Sequence, residues 1–169
     1  MTVSVPAVLS LGSNLGDREA NLRSAVAAIA AIPGVVVDAV SGIVETAALK
    51  PSGVDDSAPA YLNAVVRVST TLTPGQLLTA LATIESDHGR VREVRWGDRT
   101  LDIDIVTYGE LQQDDRELTL PHPRAAERSF VLVPWLEIEP DAALPGIGRV
   151  DGLPAASESV ARYRAEALS

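Results

Sequence analysis

The sequence predicts a single α+β domain over residues 1–169, in which two helices cover one face of an antiparallel sheet. A chain of 169 residues with 46% hydrophobic content can bury one core but is short for two full domains. Short apolar runs alternate with helical patterns in the order β-α-β-β-α-β. Capping residues and glycines mark where the helical patterns begin and end.

The first strand and the first helix come from the start of the chain. Residues 5–11 form an apolar run that ends at a glycine-rich turn, which indicates a buried strand. The turn lacks the Gly-Lys-Ser/Thr ending of a phosphate-binding P-loop, so turn and capping chemistry explain it adequately. Asp17 is a candidate N-cap for the helix that follows. The helix is indicated by apolar residues at helical spacing and a Pro-Gly end: Leu22, Val26, Ile29 and residues 33–34.

Two further strands and the second helix occupy the middle of the chain. Residues 35–46 are rich in valine and isoleucine, which predicts a second strand. Residues 47–59 predict a long, loose connection that either serves the function or is merely tolerated. Strict alternation over residues 61–69 predicts the third strand. Thr73 and Pro74 then provide an N-cap and a first-turn proline for the second helix.

The remaining elements complete the predicted fold. Residues 101–106 predict a fourth strand, and residues 109–117 a hairpin or excursion. Short C-terminal helices are expected, including residues 130–138 and a terminal helix within 157–168, with 140–154 as a linker to the tail. The order βαββαβ matches a ferredoxin-like core. We expect the sheet face without helices to be left for a site.

Composition and charge narrow the partners. The net charge of -9 argues against nucleic acid and against anionic membranes. The absence of cysteine excludes disulfides and thiolate metal sites, and it favours a hard cation such as magnesium. No apolar run approaches the length of a membrane span, and the first residues do not resemble a signal peptide. We therefore expect a cytoplasmic protein. We also expect a monomer, although no residue pattern decides the oligomeric state.

The sharpest motif is a pair of carboxylates, Asp102 and Asp104, inside the fourth strand. Side chains alternate along a strand, so both carboxylates share one face while Leu101, Ile103 and Ile105 share the other. Neighbouring anions on a sheet repel unless a cation lies between them. Magnesium is held by one or two carboxylates together with substrate phosphates. From these residues alone, a magnesium site and a solvated or arginine-paired strand face are equally good explanations.

A cationic segment precedes the two carboxylates. Four arginines fall within ten positions: Arg90, Arg92, Arg95 and Arg99. Guanidinium groups bind phosphate oxygens in a bidentate way and remain charged. Cations beside carboxylates suit phosphoryl transfer, where positioning and charge neutralisation supply most of the catalysis. The alternative for any one of them is a solvated loop, and Arg99 is the strongest candidate for a functional role.

Further polar and aromatic residues complete the candidate site. His122 lies between two prolines, with Arg128 and Phe130 shortly after it. His122 could donate to a phosphate, although a turn residue is the alternative. Tyr61 and Asn63 share one face of the third strand, where they could stack on a flat heterocycle and hydrogen-bond its edge. The side chain of Tyr61 or of Phe130 could instead belong to the core.

The run Arg-Trp-Gly-Asp-Arg-Thr-Leu-Asp-Ile-Asp-Ile at 95–105 resembles the signature of the 6-hydroxymethyl-7,8-dihydropterin pyrophosphokinase family. Four more motifs follow the order and approximate spacing of that family: Leu-Gly-Ser-Asn at 11–14, Tyr-Leu-Asn at 61–63, the segment 85–92 and Leu-Pro-His at 120–122. The resemblance covers roughly residues 5–140. Five ordered motifs are much harder to obtain by chance than one.

The resemblance implies that the chain transfers diphosphate from Mg-ATP to the hydroxymethyl group of the pterin, on the route to folate, and releases AMP. It implies two magnesium ions on Asp102 and Asp104, with ATP as co-substrate. The catalytic set would be Asp102, Asp104, Arg90, Arg92 and Arg99. The ATP-binding set would be Glu85, Arg90, Arg92, Arg99, Ile105, Thr119, His122 and Arg128. The pterin-binding set would be Thr46, Leu49, Tyr61, Asn63, Trp96, Asp102 and Phe130, with Tyr61 and Phe130 on either side of the ring.

Two other functions fit part of the same pattern. A metal-dependent nuclease or phosphatase could use the two carboxylates with water as the nucleophile. A ligand-sensing domain could share the fold without catalysing a reaction, because a fold does not fix a function. Release of AMP that requires the pterin would separate the pyrophosphokinase from both.

Overall fold

The computed structural model describes residues 3–46, 48–50, 53–55, 60–88 and 100–164. The strands are, in chain order, β1 (Val5–Ser13), β2 (Val35–Val40), β3 (Ile43–Thr46), β4 (Ala48–Lys50), β5 (Gly53–Asp55), β6 (Tyr61–Thr70), β7 (Asp102–Tyr108), β8 (Gln113–Asp114), β9 (Thr119–Leu120), β10 (Ala143–Leu144), β11 (Gly148–Arg149) and β12 (Ala161–Arg164). The helices are α1 (Arg18–Ala30), α2 (Pro74–Asp87) and α3 (Ser129–Ile138), with short 3-10 turns at Ala125–Glu127, Val150–Gly152 and Pro154–Ser157.

The central sheet is antiparallel, with the order β12-β3-β6-β1-β7, and β2 also pairs with β6. The two long strands β1 and β6 pair along their whole length and place β7 at one edge. This arrangement confirms the predicted α+β fold with a ferredoxin-like βαββαβ core. The hairpin predicted after the fourth strand is also confirmed, since β8 pairs with β9.

Both predicted helix starts are confirmed by their capping contacts. The Asp17 carboxylate accepts a hydrogen bond from the backbone N–H of Ala20 at 3.1 Å and caps α1. Thr73 and Gln76 form a reciprocal capping box at the start of α2. None of the helices among the described residues is both long enough and apolar enough to cross a membrane.

The sheet separates two buried clusters. On one face, α1 and α2 pack over the alternating residues of the central strands, among them Leu9, Leu11, Leu62 and Ile105. The other face is not left bare as the sequence suggested. A second cluster covers one end of it, where α3 and the turns after it pack on the sheet: Val8, Val65, Val106, Leu132, Trp135, Leu144 and Val150. The far end of this face carries the polar residues described below.

The segment predicted as one strand at 35–46 is divided into β2 and β3 by Ser41 and Gly42. Ser41 ties the break to β6, because its N–H donates to the carbonyl of Val65 while its hydroxyl accepts from the Val65 N–H, both at 2.9 Å. The prediction of a loose connection at 47–59 is also wrong in part. Its described residues include the paired strands β4 and β5.

The end of the chain departs most from the sequence prediction. Residues 140–154 are not a linker, because they contain the β10–β11 hairpin and bury Ala142, Leu144 and Val150 in the second cluster. The terminal helix expected within 157–168 is wrong over its described part, where β12 pairs with β3. Backbone groups at the edge of β3 need hydrogen-bond partners, and this pairing provides them.

Candidate functional site

The two carboxylates of β7 lie on the polar end of the second sheet face. Asp102 and Asp104 are partly exposed, whereas Ile103 and Ile105 are buried on the helix-covered face. The predicted alternation is therefore confirmed. The side chain of Asp104 is 35% exposed, so it can reach a ligand from the face that it shares with Asp102.

The strand register brings the other polar residues to the same end. Gly12 of β1 lies directly opposite Asn63 on β6 and directly opposite Asp102 on β7. Ser10 lies opposite Asp104 in the neighbouring row. Asn63 and Asp102 are therefore two strands apart, about 10 Å, with a glycine between them.

Gly12 matters because it has no side chain. A Cβ atom at this position would lie 3.0 Å from Oδ1 of Asn63 and 3.4 Å from a ring carbon of Tyr61. The first distance is too short for an ordinary contact, so the bare backbone lets both side chains lie close over β1. Sequence reasoning placed Gly12 in a turn and in one motif of the family resemblance, but it gave Gly12 no role in the site. Its place in β1 could have suggested a shared face with Ser10, but the residues across from it depend on register, which the sequence does not display.

Thr46, Tyr61 and Asn63 form a polar and aromatic cluster at the junction of β3 and β6. Asn63 is only 4% exposed, and its amide donates to the hydroxyl of Thr46 at 3.0 Å. Thr46 and Tyr61 are paired across the two strands. Leu49 lies nearby in sequence, in β4, but its side chain is outside the described part of the structure.

On the other side of the carboxylates, two basic side chains approach Asp104. Its Oδ2 lies 3.8 Å from Nε2 of His122 and 3.9 Å from Nη1 of Arg128. Both distances are longer than a direct hydrogen bond. The guanidinium of Arg128 also lies over the ring of Phe130, 5.6 Å from its centroid. Helix α3 begins at Ser129, with Arg128 as its N-cap residue and Phe130 in its first turn. The start of this helix therefore positions both Arg128 and Phe130.

His122 is neutral near pH 7. Burial, the largest cause, acts together with the positive charges of Arg128 and Arg124 and against the negative charge of Asp102, and the pKa of His122 is lowered to about 4. Nδ1 of His122 lies 3.2 Å from the backbone N–H of Arg124, and it accepts that hydrogen bond. The proton is therefore assigned to Nε2, which faces Asp104. The contact with Asp104 is accordingly not an ion pair near neutral pH.

A cavity of about 250 Å³ adjoins the carboxylate face. Its lining includes three of the predicted ATP-binding residues, Ile105, Thr119 and His122, together with the predicted magnesium ligand Asp104. Thr119 belongs to β9, and the backbone N–H of His122 donates to the carbonyl of Val106 at 2.9 Å, which holds this part of the chain against β7. The cavity therefore joins the carboxylates to residues from a separate hairpin.

Glu85 contributes from the last turn of α2. It is 5% exposed, and its Oε2 accepts a hydrogen bond from the backbone N–H of Ile103 at 2.8 Å. A buried carboxylate needs such a donor, because desolvation without one is costly. Glu85 thus ties α2 to the strand segment between Asp102 and Asp104.

The remaining predicted residues lie outside the described part of the chain: Arg90, Arg92, Arg95, Trp96 and Arg99. Among the residues that are described, no group of three or more His, Asp or Glu side chains is arranged to hold a metal ion. Two carboxylates on one face nevertheless fit magnesium, which is commonly bound by one or two carboxylates and completed by water and phosphate oxygens.

Comparisons with known proteins find a matching family model and similar enzymes. The family model described as 7,8-dihydro-6-hydroxymethylpterin-pyrophosphokinase matches residues 8–140. The 2-amino-4-hydroxy-6-hydroxymethyldihydropteridine pyrophosphokinase of Methylorubrum extorquens is 46% identical over 140 residues, which are 83% of this chain and 86% of that protein. The enzyme of the same name from Bacillus subtilis is 46% identical over 132 residues, or 78% of this chain and 77% of that protein.

A solved structure supports the fold independently. The wild-type HPPK-DHPS of Plasmodium falciparum, crystallised with pteroate, matches with a TM-score of 0.65 at 14% identity. The match covers 87% of this chain and 41% of that chain, so the similarity spans less than half of the larger protein. With its family match over most of its length and relatives at 46% identity, the chain belongs to the 7,8-dihydro-6-hydroxymethylpterin-pyrophosphokinase family.

Proposed function

We propose that this chain transfers diphosphate from Mg-ATP to the hydroxymethyl group of 6-hydroxymethyl-7,8-dihydropterin and releases AMP, in folate biosynthesis. The observation that carries the proposal is the row across three strands, in which Asn63, Gly12 and Asp102 lie side by side. A pterin pocket and a pair of phosphate-side carboxylates are thereby held at adjacent positions on one rigid sheet. The chain's membership of the pyrophosphokinase family supports this assignment.

The phosphate side of the proposed site centres on Asp104. His122 in its neutral Nε2–H form donates a hydrogen bond to a phosphate oxygen, and Arg128 adds a fixed positive charge. Ile105 and Thr119 contribute to the nucleotide side of the adjoining cavity. Glu85 holds the backbone of Ile103 in place and belongs to the ATP side.

The pterin side centres on Asn63. Its amide pairs with Thr46, and in this position it can read the polar edge of a flat heterocycle. Tyr61 stacks on one face of the ring, and Phe130 on the other. Asp102 lies in the same row of the sheet as Asn63, with Gly12 between them, and it shares its face with Asp104. It is therefore assigned to both the pterin side and the phosphate side.

Residues outside the described ranges are part of the proposal. Arg90, Arg92 and Arg99 bind the phosphate chain and act in catalysis, while Leu49 and Trp96 contribute to the pterin pocket. Asp102 and Asp104 would hold two magnesium ions, which would supply positive charge against the phosphates. In the reaction, the pterin hydroxyl oxygen bonds to the β-phosphorus as the bond from that phosphorus to AMP breaks, and one proton is released. The protein's contribution is positioning and the exclusion of water.

We also propose that the enzyme acts as a monomer in the cytoplasm, where ATP is available, and that it has no nucleic-acid partner. The net charge of -9 supports the last point. Light scattering coupled to size exclusion measures the mass directly, and a value near 17.8 kDa is expected. A value near twice that mass would contradict the monomer.

The decisive experiment measures AMP release from ATP with and without magnesium and with and without the pterin. AMP should appear only when both are present. Release of ADP and phosphate regardless of the pterin would instead indicate a hydrolase. Asp102→Ala and Asp104→Ala should each abolish transfer with little loss of stability, because each removes one of two repelling charges on a sheet face.

Asp38 provides a matched control for these two variants. It is also a strand carboxylate, but it lies in β2 and contacts Arg67 and Ser69, away from the site. Asp38→Asn should retain transfer activity per folded molecule. If both site variants keep their activity, the magnesium assignment is wrong.

A further inference from the structure

Helix α1 carries two polar side chains, Arg18 and Asn21, that reach different parts of the proposed site. They are three residues apart, so they are neighbours on the helix surface. The helix itself is firmly held, since Asp17 caps its start and four of its side chains are buried against the sheet. It can therefore act as a rigid reference for whatever these two side chains contact.

Arg18 holds the pterin side. Its Nη1 donates to Oε2 of Glu45 at 2.8 Å and to the carbonyl oxygen of Ala60 at 2.7 Å. Glu45 immediately precedes Thr46, and Ala60 immediately precedes Tyr61. One guanidinium thus fixes the chain on both sides of the Thr46–Tyr61 pair.

The contact of Arg18 is stronger than that of an ordinary surface arginine. Its side chain is 26% exposed, and it combines a charged pair with a backbone acceptor. Hydrogen bonds between ionised partners are about twice as strong as neutral ones. Its guanidinium also lies 5.9 Å from the ring centroid of Tyr163 on β12.

Asn21 holds the carboxylate side. Its amide nitrogen lies 3.3 Å from the carbonyl oxygen of Thr100, which is two residues before Asp102. The same nitrogen lies 3.0 Å from the carbonyl oxygen of Leu15 and 3.3 Å from Oγ of Ser13. Ser13 follows Gly12, the residue opposite Asp102. Asn21 therefore links the end of β1 to the beginning of β7.

We infer that Arg18 and Asn21 are positioning residues for different substrates, Arg18 for the pterin and Asn21 for Mg-ATP. Neither needs to touch a substrate, because each acts through the residues that it anchors. The inference rests on the proposed function and adds that two residues of one helix position the binding sites of different substrates. A general destabilisation of α1 would weaken the binding of both substrates together. The inferred roles instead predict that each variant affects one substrate and spares the other.

The test measures KM for each substrate, and binding of Mg-ATP and of the pterin by calorimetry, in Arg18→Ala and Asn21→Ala. Arg18→Ala should raise the pterin constants about fivefold to tenfold, because it removes the hydrogen bonds to Glu45 and Ala60, and it should leave the ATP constants within about twofold. Asn21→Ala should weaken ATP binding or lower kcat by a similar factor and spare the pterin. A parallel change in both substrates, or no change in either, would overturn the inference.

The control is Arg23→Ala. Arg23 lies on the same helix and also pairs with a glutamate, Glu19, at 3.0 Å, but that pair lies within the helix. All constants should stay within about twofold of the parent chain. Glu45→Gln should reproduce part of the Arg18→Ala effect, and the double variant should be less than additive because the two residues are in contact.

The two proposals can fail separately. If the parent chain releases no pterin-dependent AMP, the proposed function fails. Calorimetry then still decides the inference, because the split between ATP and the pterin is read from binding alone. If AMP release is normal but both variants weaken both ligands equally, only the positioning roles are wrong.

Discussion

At the residue scale, the site depends on small features that a residue's identity alone does not disclose. Gly12 lets Asn63 and Tyr61 lie close over β1 because it has no side chain, and His122 accepts a hydrogen bond at Nδ1 from the backbone N–H of Arg124. Asn63 was predicted to share one face of β6 with Tyr61, and both side chains lie over Gly12 there, but the near-complete burial of Asn63 was not predicted. The sequence indicated which residues to consider, but burial and protonation depend on neighbours from other strands.

We predict that Gly12→Ala weakens pterin binding more than ATP binding. The added methyl group would contact Oδ1 of Asn63 at 3.0 Å and the Tyr61 ring at 3.4 Å, so both side chains must shift. Calorimetry with each ligand measures the difference. Gly75→Ala is the control, because a Cβ there has no neighbour within 4 Å. Equal losses for both ligands would indicate a general disturbance of β1.

We predict that His122 lowers stability in acid. Its pKa falls to about 4 in the fold, against 6.5 in the unfolded chain, so the unfolded state binds more protons between these values. Stability should therefore fall as the pH drops from 7 towards 4. The charged groups that influence His122 are Asp102, Asp104, Arg124 and Arg128.

Urea unfolding in magnesium-free buffer at pH 7 and pH 4.5 tests this prediction. The parent chain should lose more stability between the two pH values than His122→Gln, whose side chain stays neutral. Carboxylates titrate in both proteins, so the difference between them isolates the imidazole. An identical loss in the two proteins would show that His122 is not held in its neutral form.

At the scale of elements, the starts of α1 and α2 followed directly from the sequence, because capping is local. Asp17 and Thr73 need only the next few residues to make their hydrogen bonds. The strands were harder. The break between β2 and β3 depends on Ser41 bonding to Val65, which is 24 residues away, and β12 forms only because β3 offers it an edge. Such partners are not visible in a local window of sequence.

We predict that Thr73→Ala destabilises the protein by about 1 kcal/mol, the usual cost of losing an N-cap. Thr73 accepts from the Gln76 N–H at 3.2 Å as one half of the capping box. Chemical denaturation measures the change, while activity per folded molecule should be unaffected. Thr79→Ala, at an exposed position in the middle of the same helix, should be neutral or slightly stabilising because alanine favours helix. A cost at Thr79 as large as at Thr73 would contradict the capping explanation.

At the scale of the whole molecule, the βαββαβ core was predicted and the second buried cluster was not. Alternation in β6 and β7 identified the face beneath α1 and α2. The opposite face was expected to be open, but valines at 8, 65 and 106 lie there and pack against α3. In a single sequence, a residue such as Val65 fits either a buried or a half-exposed position. The family assignment is confirmed, whereas the individual roles of the site residues stay predictions.

We predict that Leu144→Ala costs about 2–5 kcal/mol, as expected for a buried leucine. Leu144 is 1% exposed in the second cluster, although the sequence suggested a linker there. Ile147, three residues later and 52% exposed, is the matched control, and Ile147→Ala should change stability by less than about 0.5 kcal/mol. Thermal or urea unfolding compares them. Equal, small effects would restore the linker interpretation.

The position of the sheet between two buried clusters limits how this sequence can vary. Along β1, β6 and β7, one residue packs beneath α1 and α2, and the next packs beneath α3 or enters the site. A change of side-chain volume on one face shifts a strand that also carries residues of the other face. Freedom to accept substitutions is therefore expected on the outward faces of the helices and at surface turns. Strands β1, β6 and β7 therefore carry constrained side chains on both faces.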